Sequence, residues 1–185
     1  MKFLYSLLLS FALLCCFYVE SAAQLKVGVN GGVGFPTGDL GSFSKVGYNV
    51  GISAEYLLLE KKLGLGISAD LNNFNFRYLP SSGSTKLSAI ALLLKYYFAT
   101  ESVRPFVGLT AGEYLVKITD YANTYPGSKL NPGLAPVGGF AFQLNEQVDF
   151  SLTAKYNVVF SSTYYGSSTF TFLTINAGIA LTFGK

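Results

Sequence analysis

Val148-Asp149-Phe150-Ser151-Leu152-Thr153-Ala154-Lys155-Tyr156-Asn157-Val158 is apolar at every second position and polar at every position between. Successive side chains of a strand point to opposite faces, so this run is a strand with one greasy and one hydrophilic side; a helix would repeat near 3.6 residues. The pattern recurs upstream. Leu63, Leu65, Ile67, Ala69 and Leu71 oppose Gly64, Gly66, Ser68, Asp70 and Asn72, and Tyr48, Val50, Ile52, Ala54 and Tyr56 oppose Asn49, Gly51, Ser53 and Glu55. Val27, Val29 and Val33 oppose Lys26, Gly28, Asn30, Gly32 and Gly34. Residues 86–98 set Ile90, Leu92, Leu94 and Tyr96 against Ala91, Lys95 and Tyr97, with Leu93 as the exception; a buried helix is the competing reading there. Residues 103–118 and 134–144 read as glycine-rich strands, and 169–183 as the last, with Ile175, Ala177, Ile179, Leu181 and Phe183 on one face.

Eight strands follow from this reading, and the connections between them alternate in length. Pro36 to Lys45, Arg77 to Thr85, Thr119 to Gly133 and Ser161 to Ser168 are long and rich in Gly, Ser, Pro, Asn and Tyr. Tight turns centre on Glu60-Lys61-Lys62, Thr100-Glu101-Ser102 and Asn145-Glu146. An antiparallel up-and-down β-barrel with its loops at one end and its turns at the other requires this alternation.

Sidedness decides between a soluble and a transmembrane barrel. Charged residues are only 12% of the 185-residue chain, about half the usual fraction of roughly 25%, too few to solvate an exterior in water. Eight strands enclose room for little more than their own side chains. Bulky apolar residues therefore face outward to lipid, and Gly, Ser, Thr, Asn and a few charges face inward. Beyond residue 23 no apolar run reaches the ~18 residues of a membrane-spanning helix. The expected class is an all-β, eight-stranded antiparallel transmembrane barrel whose closure satisfies every strand N–H and C=O.

Lys2, the apolar run Phe3 to Val19 and the small residues Ser21-Ala22-Ala23 predict a cleaved export signal over 1–23, leaving a barrel domain over 24–185. Cys15 and Cys16 leave with that segment, so the mature chain carries neither disulfide nor thiolate ligand. Histidine is absent, which excludes Ser-His-Asp and Cys-His nucleophile systems and histidine metal sites. No catalytic, cofactor or metal site is expected. The net charge of +3 is carried by singly spaced Lys and Arg, which gives no nucleic-acid footprint. Charges that face a narrow interior must find partners, so Lys26, Glu55, Asp70, Lys95 and Lys155 are expected to form a lumenal ionic network. Tyr121, Tyr125, Lys129 and Asn131, in the longest loop, are the candidates for contact with an extracellular ligand or envelope protein.

The run Asn176-Ala177-Gly178-Ile179-Ala180-Leu181-Thr182-Phe183 resembles the C-terminal insertion signal of bacterial outer-membrane barrels, with Asn176, Gly178, Leu181 and Phe183 at its marked positions. Over 24–185 the chain resembles the outer-membrane β-barrel domain family that includes the OmpA and OmpX type barrels; Gln24 and the Gly- and Tyr-rich make-up are similar to members from Bacteroidota. The resemblance implies residence in the Gram-negative outer membrane, with membrane lipid and the barrel-assembly machinery as partners. The expected role is a non-enzymatic structural or surface-interaction one exercised through the loops. The alternatives are a porin-like channel for ions or small solutes, or an accessory barrel of a secretion or envelope-assembly system.

Overall fold

Alternation becomes strand along most of the described residues. The computed structural model describes residues 24–77, 83–119, 124–125, 130–163 and 166–184; the expected export signal, 1–23, lies outside them, as do Tyr121 and Lys129. In order the elements are β1 (Gln24–Thr37), α1 (Gly38–Phe43), β2 (Gly47–Leu58), β3 (Leu63–Asn75), β4 (Ser84–Tyr97), β5 (Val103–Thr119), β6 (Thr124–Tyr125), β7 (Leu130–Gln143), β8 (Val148–Thr163) and β9 (Gly166–Phe183). β6 is a two-residue spur on β5. The other eight strands form one antiparallel ring in chain order, closed by β9 against β1 from Leu25↔Phe183 to Thr37↔Thr171.

The register fixes the shape. Followed from Gly28 through Ser53, Ser68, Ala91, Gly112, Gly133, Val159 and Phe170, the row of paired residues returns to β1 at Gly38, ten residues further along. With a rise of about 3.3 Å per residue and about 4.8 Å between strands, that stagger tilts the strands by roughly 40°, the tilt of small closed barrels. Each row therefore climbs toward the loop end as it runs from β1 to β5.

Outward faces are predominantly apolar around the circumference, with Val29 60%, Ile52 59%, Ile90 71% and Leu92 70% exposed, and Glu113 of β5 is a charged exception in the same paired row. Tyr56, Tyr96 and Phe98 ring the turn end, and Tyr48 and Phe160 the loop end. Leu93, the exception to β4 alternation, is buried inside with Leu87, Ala89 and Ala91. The interior is thus not uniformly small and polar, as expected from sequence, but carries apolar layers at both ends. Phe74, Leu87, Tyr114, Val159 and Phe172 cluster near the loops, and Leu57, Tyr97, Phe106, Val137 and Ala141 near the turns. Glycine makes the space: a Cβ on Gly34 would meet the Phe74 ring at 2.7 Å, and one on Gly133 the Tyr114 ring at 2.6 Å.

Three further differences concern the connections. Loop one contains α1, whose Leu40 is fully buried against the loop-end cluster. The expected loop from Ser161 to Ser168 is strand at both of its ends, because Ser161 to Thr163 of β8 stays paired with Gly166 to Ser168 of β9. Asn131 is not a loop residue: β7 begins at Leu130, and the inward position buries the Asn131 side chain, whose Nδ2 donates to the Tyr114 carbonyl at 3.2 Å. In the β2–β3 turn, Leu59, Glu60 and Lys61 all take positive φ (48°, 55°, 69°), a left-handed turn built without glycine.

Candidate functional site

Inward-facing charge is confined to seven described side chains: Lys26, Glu55, Asp70, Lys95, Arg104, Asp149 and Lys155. Pairing follows from register. Lys26 on β1 lies directly opposite Glu55 on β2, with Nζ 3.8 Å from Oε1. Lys95 on β4 stands between Gly64 and Gly108, which leave it free to lean across and reach Glu55 Oε2 at 2.9 Å. Asp149 Oδ2 on β8 is shared by Lys26 at 2.9 Å and Arg104 at 2.5 Å. The Tyr97 hydroxyl donates to Glu55 Oε1 at 2.5 Å, and the Lys26 and Arg104 cations lie 5.5 and 5.7 Å from the centre of its ring. Glu55, Asp149, Arg104 and Lys26 are all buried. Three cations thus surround two carboxylates in the turn-end half of the lumen, each carboxylate held from two sides.

Asp70 and Lys155 stand apart. β3 and β8 face each other across the ring, four strands apart in either direction, and Lys155 Nζ donates to Asp70 Oδ2 at 2.6 Å. The five residues proposed as one network therefore divide in two, Lys26, Glu55 and Lys95 in the turn-end cluster and Asp70 with Lys155 in a separate brace. Arg104 and Tyr97 complete the cluster, as does Asp149. The alternation could have found Arg104: it has the parity of Gly108 and Thr110, the inward positions of β5.

Between the brace and the turn-end cluster lies a cavity of about 80 Å³ lined by polar Asn30, Ser68, Thr110 and Asn176 and by apolar Leu93, Phe106 and Val137. Asn30 Oδ1, Ser68 Oγ and Asn176 Oδ1 are buried there without a protein hydrogen-bond partner. A volume of that size has room for a few waters, and the unpartnered oxygens offer them hydrogen-bond partners. Above it the loop-end layer is pinned by Tyr114 Oη donating to Asn157 Oδ1 at 3.0 Å and by the edge-to-face pair Phe74–Phe172, with ring centres 5.2 Å apart. This arrangement can hold two walls together and hold water. It presents no group of three or more His, Cys, Asp or Glu side chains able to bind a metal among the described residues.

Asn176 and Gly178 face inward on β9, and Leu181 and Phe183 outward, 46% and 52% exposed, on the strand that closes the ring. Of the loop candidates, Tyr125 falls in β6 with its side chain outside the described residues, and Asn131 is inside the lumen.

No protein-family model matches the sequence, and no curated protein does. Solved structures do match. Neisserial surface protein A is similar over 88% of this chain and 100% of its own, with a TM-score of 0.68 and 20% identity. Ail, the attachment invasion locus protein of Yersinia pestis, is similar over 89% of this chain and 100% of its own, with a TM-score of 0.52 and 14% identity. The outer membrane enzyme PagL is similar over 84% of this chain and 97% of its own, with a TM-score of 0.50 and 15% identity. The chain shares the closed eight-stranded barrel fold of these proteins.

Proposed function

We propose that the chain is a Gram-negative outer-membrane barrel, exported by a signal over residues 1–23, whose role is non-enzymatic and exercised at the loop end. The observation that carries the reading is the contrast between the two faces of one wall. Outside, a circumference that is apolar but for Glu113, Ser88 and the rim calls for hydrocarbon rather than water. Inside, two packed layers and a set of ion pairs fill the space through which a solute would pass. With wall and lumen occupied, the loop end is left to meet a partner, such as an extracellular ligand or an envelope protein.

The Neisserial surface protein and Ail likenesses support the fold half of this reading. PagL is an enzyme on the same fold, so fold alone does not separate the roles; a chain without histidine cannot run histidine-dependent acyl chemistry. Membership of the OmpA and OmpX type family and an origin in Bacteroidota belong to the same proposal, resting on Asn176 to Phe183 and on Gln24. Ion conduction is the second reading, favoured by the cavity beside Asp70 and Lys155; it needs both apolar layers to move aside.

Membrane fractionation combined with gel mobility before and after boiling tests the location, and planar-bilayer recording tests the role. The expected result is an outer-membrane band that shifts on heating and a bilayer without steady conductance. A band in the soluble fraction removes the first half of the proposal, and stable unitary currents replace the second half with the channel reading.

A further inference from the structure

On the outer wall, Lys86 of β4 and Lys117 of β5 are direct cross-strand partners, and both side chains are exposed. Side chains so placed stand about 5 Å apart at Cβ, and like charges in that position repel. No carboxylate lies within ion-pair distance of either among the described residues. Because paired rows climb toward the loops from β1 to β5, this pair sits at the loop-end rim of the apolar wall. The next pair up, Ser84 and Thr119, adds two hydroxyls beside the two ammonium groups.

Directly below the lysines the wall is hollowed. An open groove of about 940 Å³ runs down over Leu71, Ser88 and Leu115 to Ala69, Ile90 and Val50. Ser88 and Ala69 are the small residues that open it among longer apolar neighbours. Glu113, on the same face of β5, lines the groove four positions below Lys117, about 13 Å away at strand rise and too far to pair with it. An anion is thus drawn to the lysines and repelled from the groove floor, while Glu113 can accept from a hydroxyl or amide N–H.

We propose that this face holds one phosphate-bearing glycolipid of the outer leaflet, its phosphate between Lys86 and Lys117 and one acyl chain in the groove over Ser88. Charge complementarity selects the occupant: a paired cation at headgroup height, an apolar trough beneath it, and a carboxylate on the trough floor that keeps the anion up at the lysines. The inference rests on the outer-membrane reading.

Native mass spectrometry of the full chain extracted in zwitterionic detergent tests it, with bisphosphorylated lipid A and the same lipid after removal of its phosphates as probes. The phosphorylated form is expected to bind about tenfold more tightly. Lys86→Ser with Lys117→Ser removes that preference, whereas Lys61→Ser with Lys62→Ser, the same charge loss at the turn end, keeps it. Ser88→Phe fills the groove and weakens both lipid forms. Equal affinity of the unsubstituted chain for the two forms, or a preference that survives the Lys86 and Lys117 substitutions, overturns the proposal. Should the double substitution not fold, the comparison of lipid forms and the two single substitutions decide. A chain that yields no heat-shifting barrel in detergent counts against the outer-membrane reading instead.

Discussion

Asp70 and Lys155 show what a single pair does in this lumen. Neither has a second charged partner among the described residues, so removing one leaves the other buried and uncompensated. Breaking a buried pair in this way typically costs about 3–5 kcal/mol; the cavity beside it leaves room for water at the survivor, which brings the expected loss for Asp70→Asn to roughly 2–3 kcal/mol. Replacing both, as Asp70→Leu with Lys155→Met, removes the buried charges together and restores most of that loss. Urea unfolding in lipid vesicles, followed by gel mobility because the chain has no tryptophan, measures all three. A double substitution no more stable than Asp70→Asn shows that the brace is not what couples these positions. The turn-end cluster tolerates single losses better, since Glu55 and Asp149 each keep a second cation. Register made part of this site legible: once the strands are placed, Lys26 and Glu55 are neighbours by count. The Asp70–Lys155 brace crosses the lumen, and its partners follow only from strand number and stagger, which no local pattern carries.

At the scale of elements, the barrel strands were legible and their extensions were not. Alternation survives wherever the wall separates lipid from lumen, because the two faces demand opposite polarity. Beyond the wall both faces meet water, and Ser161-Ser162-Thr163 and Gly166-Ser167-Ser168 carry no apolar period although they remain paired. The six residues of α1 were hidden for a related reason: one buried Leu40 is too short a signal for a helical period. That helix nonetheless matters, because Leu40 closes the loop-end layer above Phe74 and Phe172. Leu40→Ala is expected to lower stability by about 2–4 kcal/mol, the cost of a cavity at a fully buried leucine. A loss below about 1 kcal/mol means that α1 rests on the barrel without sealing it. The β2–β3 turn works in the other direction. Glu60 occupies left-handed backbone that glycine takes at no steric cost, so Glu60→Gly should stabilise by up to about 1 kcal/mol in the same unfolding assay.

For the whole molecule, the decisive property is closure. In an open sheet the first and last strands expose a row of unpaired N–H and C=O groups, and the amides of those strands exchange first. Here β1 and β9 are paired along thirteen positions, from Leu25↔Phe183 to Thr37↔Thr171, so within the wall no strand is an edge. In hydrocarbon an unsatisfied backbone group costs several kcal/mol, which makes opening at this seam no easier than at any other. Hydrogen exchange of the barrel in lipid vesicles should therefore find Val27 to Val33 and Ile175 to Leu181 protected to within about tenfold of Leu65 to Leu71 in β3. The paired tip of β8 and β9, Ser161 to Thr163 against Gly166 to Ser168, stands above the aromatic ring that includes Phe160, where water competes for its hydrogen bonds, and should exchange much faster. The contrast isolates the cause. If protection followed distance from the chain ends, β1 and β9 would be weak throughout; if it follows immersion in an edgeless wall, the weak amides lie at the loop end of every strand.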